Sequence, residues 1–153
     1  MSAARIFLTE LHAWQWVGVL VARIVVGSLF FLSGRGKLFV PDRREQMRET
    51  LVAAHIPFPS FNAVFVPTVE FVFGFLLLIG ALTPLACVML GGVMIAAIAT
   101  TAIRAIKTSS AIAWLSEFLY LPEVLYLVIL LWLFLSGPGW FSVDHLMLSQ
   151  PNR

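Results

Sequence analysis

Charge is scarce in this chain. Asp, Glu, Lys and Arg make up 12% of its 153 residues while hydrophobic residues reach 60%, a charged share about half that of an average soluble domain. Such a composition excludes a water-soluble globular domain and calls for a bilayer as solvent. Cysteine occurs once, as Cys87, which excludes an internal C-x-x-C pair or dithiol relay. Set in an apolar run, that thiol reads as a small packing residue. The three histidines, His12, His55 and His145, do not place a pair inside two helices where a haem could be held. His12 and His145, with Asp144 nearby, fall toward one side of the membrane, but two interfacial histidines fall short of a metal site and none is expected. The formal charge of +2 comes without a basic stripe interleaved with aromatics, which argues against a nucleic-acid partner. No strand-borne glycine loop for a dinucleotide or a phosphate is present.

Long apolar runs are what the chain does contain. A helix crossing a hydrocarbon core of roughly 30 Å needs about 20 apolar residues, and four runs qualify, giving spans near 16–34, 61–82, 85–105 and 117–136. These predict one all-α membrane domain over residues 1–153, a four-transmembrane-helix bundle. Arg23 interrupts the first run and no small-x-small site closes it, so this run is expected to stay in the mature protein.

Between the first two spans lie Arg35, Lys37, Arg43, Arg44 and Arg48, and before the fourth lie Arg104 and Lys107, whereas the other side carries only Arg5 and Arg153. The side rich in Lys and Arg belongs in the cytoplasm, which turns both termini outward. Asp42, with Glu45 three residues on, has the spacing of an N-cap and its reciprocal acceptor. Met47, Leu51 and Ala54 then recur at helical spacing, predicting a short amphipathic helix over Asp42 to His55 on the cytoplasmic surface, its basic face suited to anionic lipid. A solvated charged loop is the alternative.

Three runs each hold one ionisable residue: Arg23, Glu70 and Glu123. A charge at that depth costs roughly 2.5–3.5 kcal/mol, so such residues face the bundle interior and pair there. At about 1.5 Å per residue, Glu70 and Glu123 lie roughly 18–20 Å below the outward ends of their spans and Arg23 roughly 10 Å below Trp16, so Arg23 is expected to meet one of the two acids. The other must be protonated, hydrogen-bonded or matched by a ligand. Gly27 and Gly34 share a face with Arg23, and Gly74 shares one with Glu70; with Gly92 in the third span they form small-residue surfaces for close helix packing or self-association. Pro67 and Pro122 either free helical carbonyls near the two acids, or, for Pro122, simply begin the fourth helix with Glu123 favoured at its positive end.

Arg23-x3-Gly27, Phe30-Phe31, Gly34 and Lys37-Leu38-Phe39, then Glu70-x3-Gly74, then Met94 with Ala97, and finally Gly137-Pro138-Gly139-Trp140-Phe141-Ser142-Val143-Asp144 follow one another in an order that resembles DoxX-like membrane proteins. The resemblance implies a four-helix protein of the bacterial inner membrane, often a small partner in a redox assembly that is quinone-linked or handles thiol or oxidative stress. On that basis Arg23, Glu70 and Glu123 are the candidate catalytic residues, and the same three with Phe30, Phe31 and Lys37 are candidate contacts for a quinone or lipid. Gly137, Pro138, Gly139, Ser142 and Asp144 form the terminal motif. No cofactor is encoded; the expected partners are the bilayer and a membrane or soluble redox subunit. A non-catalytic scaffold and a carrier for protons or a small solute remain as alternatives. The charge asymmetry yields a direct test: cysteine labelling from outside the cell should reach positions near Ser2 and Asn152 and miss positions near Gln46. The reverse pattern would overturn the orientation.

Overall fold

Proline opens four of the helices. Pro41, Pro59, Pro84 and Pro122 each occupy one of the first two positions of a helix, where the missing N–H has no partner to lose and the fixed φ suits the first turn. The computed structural model describes residues 14–108 and 110–149. Its elements are α1 (Gln15–Phe39), α2 (Pro41–Ala53), α3 (Pro59–Ile79), α4 (Thr83–Ala105), α5 (Ala111–Leu119), α6 (Pro122–Ser136) and α7 (Val143–Leu148), with no strand among the described residues. The expected outward residues Arg5, His12 and Arg153 lie outside them.

α1, α3 and α4 are long and apolar enough to cross a membrane. The expected fourth span is not one helix: α5 and α6 meet at a break before Pro122 and differ in direction by 59°, so they make a fourth span only if the bent pair is counted as one. α4 contains a π-helical turn over Ile98–Ala102, where one extra residue per turn shifts the faces that follow.

α2 forms between the first two spans, with corrections to its ends. Val40 is the extended N-cap residue and Pro41 the first helical one, so Asp42 lies in the first turn instead of capping it. The helix stops at Ala53, short of His55, whose φ of 57° is left-handed. Leu51 is its one buried residue, and Glu45 pairs with Arg48 on the exposed side at 2.5 Å.

The core consists of Val26, Phe30, Leu77, Leu90, Leu130 and Leu133, with Val19, Ala86, Cys87 and Met94 around them. Meanwhile Val25, Leu32, Val88, Val128 and Leu135 are more than half exposed. Apolar residues therefore cover both the inside and the outside of the bundle, as a lipid solvent allows.

α1 and α3 run antiparallel and touch through glycine. A Cβ at Gly27 would lie 2.7 Å from the Leu78 backbone nitrogen, one at Gly34 would lie 2.6 Å from the Pro67 carbonyl oxygen, and one at Gly74 would lie 2.9 Å from the Phe30 carbonyl carbon. These are backbone atoms and cannot swing aside. Gly92, expected as a packing position, has nothing within 4 Å of where its Cβ would stand, because α4 meets α6 on another face, where Gly91 approaches Leu127. Replacing Gly27 or Gly34 by Ala should therefore destabilise the bundle by about 1–3 kcal/mol, the usual cost of overpacking, while Gly92→Ala should stay within about 0.5 kcal/mol. Thermal unfolding of the three variants in one detergent checks this; an equal loss in all three would contradict it.

Candidate functional site

Polar groups collect at the two ends of the bundle, and the antiparallel pairing of α1 with α3 decides which goes where. Arg23 lies beside Gly80, Gly27 beside Leu78, Phe31 beside Gly74, Gly34 beside Phe71 and Lys37 beside Glu70. Arg23 is thus ten residues of α3 away from Glu70, about 15 Å along the axis. The expected pairing of Arg23 with Glu70 or Glu123 is not formed. Close approach at the glycines sets the register, and it does not bring the helix ends level, which was the assumption behind equating their depths.

At the first end, Glu70 is 4% exposed and fully partnered. Lys37 Nζ donates to its Oε1 at 2.9 Å and its Oε2 at 2.8 Å, and Ser33 Oγ donates to Oε2 at 3.1 Å. These three side chains line a half-open cavity of about 600 Å³ between α1, α2, α3, α4 and the start of α6. Glu123 and Tyr126 of α6 also line it, the Tyr126 ring meeting Phe30 edge-on at 5.8 Å. Pro122 opens α6 and Glu123 stands in its first turn, the position where a helix favours negative charge. Glu123 Oε2 is buried with no hydrogen-bond partner among the described residues. The rest of the lining is mainly apolar and includes Leu29, Phe30, Phe65, Val69, Met89 and Val93. Thr100 and Thr101, from the π-helical turn, also border it, their hydroxyls donating to the Ala96 and Ala97 carbonyls at 2.7 and 2.8 Å.

Of the expected ligand contacts, Phe30, Lys37, Glu70 and Glu123 border this cavity. Phe31 does not: it stacks on Phe71 at 4.8 Å and leans on Phe75 at 5.9 Å. Arg23 does not either. Sequence reasoning took Lys37 only as a loop charge and as part of the family resemblance, and it missed Ser33 and Tyr126. The signal that locates Lys37 and Ser33 is the glycine register, which sets both opposite Glu70 once Gly34 faces Pro67 and Phe71.

At the second end, Arg23 is 2% exposed and donates through Nη1 to the Pro138 carbonyl and through Nη2 to the Phe141 carbonyl. Gly137 and Gly139 take φ values of 77° and 71°, which lets this segment fold back toward α1. Asp144 completes the closure. Its Oδ1 accepts from Leu82 N–H at 2.7 Å and its Oδ2 from Thr83 N–H at 2.8 Å, capping α4 from across the fold, and its own N–H donates to the Gly80 carbonyl at 3.0 Å. Ser142 Oγ donates to the Gly139 carbonyl at 2.7 Å and accepts from His145 N–H, capping α7. The terminal motif is a structural clasp. Among the described residues no group of three or more His, Cys, Asp or Glu is arranged to hold a metal.

The two charge clusters predict distinct coupling. Lys37→Met should be destabilising and partly rescued by Glu70→Gln, with an interaction energy of about 0.5–3 kcal/mol, because losing the partly exposed Lys37 strands the charge of the buried Glu70. Arg23→Leu should gain nothing from Glu70→Gln or Glu123→Gln. Double-mutant cycles on unfolding in detergent measure both; coupling of Arg23 to either acid would contradict the arrangement.

With this geometry in view, comparison with known proteins is direct. Residues 18–103 match the DoxX family, more than half of the chain. Over 148 residues the chain is 33% identical to an uncharacterized membrane protein of Mycobacterium tuberculosis, a match that covers 94% of this chain and 90% of that protein. No solved structure matches it. On both counts the chain belongs to the DoxX family of membrane proteins.

Proposed function

We propose that this protein is a small bacterial inner-membrane subunit or partner of a redox complex, quinone-linked or concerned with thiol or oxidative stress, whose cavity holds the headgroup of a membrane quinone. The observation that carries this reading is the cavity of about 600 Å³ whose mostly apolar lining includes the Lys37, Glu70 and Ser33 cluster together with Glu123. A concave, mostly apolar site with a few convergent polar groups is the usual form of a small-molecule site, and this one suits an amphipathic molecule. With one cysteine in the chain, electrons would move between the ligand and a partner subunit. The Lys and Arg distribution supports termini on the outward face.

The alternatives gain less support. A scaffold working through small-residue faces finds Gly27, Gly34 and Gly74 occupied within the chain, which leaves only the exposed Gly92 and Ala96 on α4 among the small-residue positions considered. A carrier needs a polar route, yet Arg23 and Lys37 are fourteen residues apart on α1, about 21 Å, and Val26, Phe30, Leu77 and Leu90 fill the space between the ends.

Gly92 borders the cavity with open space where a side chain would go, so Gly92→Phe should obstruct the site while leaving the helix contacts intact. In the complex recovered by mild solubilisation, this variant should keep its partner, lose co-purifying quinone in mass spectrometry and reduce quinone at least about tenfold more slowly, the equivalent of losing one strong polar contact. Unchanged quinone reduction by the obstructed variant would reject the proposal, and loss of partner without loss of quinone would favour the scaffold.

A further inference from the structure

The residues at the mouth of the cavity tell what lies outside it. A residue that both lines the cavity and is exposed stands at the opening, and those that do so are Thr50 of α2, Phe65 of α3, and Val88, Gly92 and Ala96 of α4. Gly92 is the clearest case, because a glycine has no side chain to expose elsewhere and nothing lies within 4 Å of where its Cβ would stand. Val88, Gly92 and Ala96 follow one another at intervals of four on one face of α4, over about 12 Å. Gly92 is about 14 Å from the start of α4 and about 20 Å from its end, on a helix long and apolar enough to cross a membrane. At that depth the mouth meets acyl chains and not water. Thr50 marks the limit nearer the surface, on a helix between spans, its hydroxyl donating to the Gln46 carbonyl at 2.8 Å.

We infer that the ligand is a chain-bearing lipophile that enters sideways from the bilayer, headgroup first, past Phe65 of α3 and Gly92 and Ala96 of α4, and keeps its chain in that mouth while bound. This rests on the reading of the cavity as a quinone site. A volume of about 600 Å³ lies in the range that encloses a drug-sized molecule, so a quinone headgroup and the first part of its chain fit inside. A longer chain has to leave, and the apolar stretch from Val88 to Ala96 lets it do so without crossing a polar surface. A molecule soluble only in water would have to pass through hydrocarbon to reach the same opening. The small residues at positions 92 and 96 set the width of the exit, which makes them specificity-determining positions for the chain and not for the headgroup.

Equilibrium binding of decylubiquinone to the full chain in lipid nanodiscs tests this, together with photolabelling by an analogue that carries a diazirine at the end of its chain. Ala96→Trp should weaken binding at least about tenfold, since a chain with no exit keeps the headgroup from seating. Ile95→Trp, at a neighbouring exposed position that does not line the cavity, should leave affinity within about twofold. Photoadducts that excess decylubiquinone displaces should map to Phe65, Val88, Gly92 or Ala96. Equal affinity in the two Trp variants, or displaceable adducts on Met47 or Thr50 of α2 instead, would overturn the lateral entry and leave the quinone site standing. Failure of decylubiquinone to bind the unsubstituted protein would overturn the site and this inference together.

Discussion

At Gly27, Gly34 and Gly74 a single added methyl would collide with the backbone of the opposing helix, so α1 and α3 can pack closely in one antiparallel register only. Shifting either helix by one turn would carry the glycines out of contact and drive Phe30, Phe31 or Phe71 into the space they leave. Everything polar inherits that register. It sets Lys37 and Ser33 against Glu70, and Arg23 against the turn at Gly80 where the terminal segment returns. The aromatic stack of Phe31 on Phe71 fills the outer side of the same contact. In a lipid solvent such packing carries more of the association energy than it does in water, because apolar burial between helices gains little over contact with acyl chains.

The bundle resolves its internal charges in two different ways. Glu70 and Lys37 form a pair in which each neutralises the other, and Ser33 uses one of the remaining lone pairs. Such a pair in a low-dielectric wall is costly to assemble and far costlier to break one-sidedly. Arg23 has no carboxylate in contact; its guanidinium is held by the carbonyls of Pro138 and Phe141, with Asp144 nearby. Carbonyls that end a helix or line a tight turn are electron-rich and lack donors, so an arginine there satisfies the backbone through Nη1 and Nη2, while its buried Nε has no partner among the described residues. Asp144 performs the complementary task at the start of α4, where free N–H groups lack acceptors.

The long helices were legible because their apolar runs are long and interrupted by single charges, and the glycine faces of α1 and α3 because i, i+4 and i+7 spacing places them on one side. Partner choice was not legible. Depth measured from the ends of the runs misplaced Arg23, since α1 extends past the end of α3 and the ends carry no information about register. The cap of α2 was misplaced because Pro41 claims the first helical position ahead of Asp42. Gly92 read as a packing glycine because a small residue on an apolar helix has the same spacing whether it faces a neighbour or an empty volume. Only the three-dimensional arrangement of α4 against α6 separates the two.

The break at Pro122 links the shape of the fourth helical region to the cavity. α6 has 15 residues, about 22 Å of helix, which is short of a hydrocarbon core of roughly 30 Å. The preceding α5 carries Ile112, Leu115 and Leu119 exposed and buries none of its residues, as suits a helix lying at the membrane interface. Were residues 111–136 one straight helix, Glu123 would stand in its middle, where its backbone neighbours are fully bonded and a lone carboxylate is hardest to tolerate. The elbow turns that position into a first turn, with the positive end of α6 beneath it and a cavity in front. The two ends of the bundle each hold buried polar atoms without partners among the described residues, Arg23 Nε and Thr83 Oγ1 at one and Glu123 Oε2 at the other, but around Arg23 and Asp144 the remaining polar groups fasten chain segments to one another, whereas Glu123 borders a cavity.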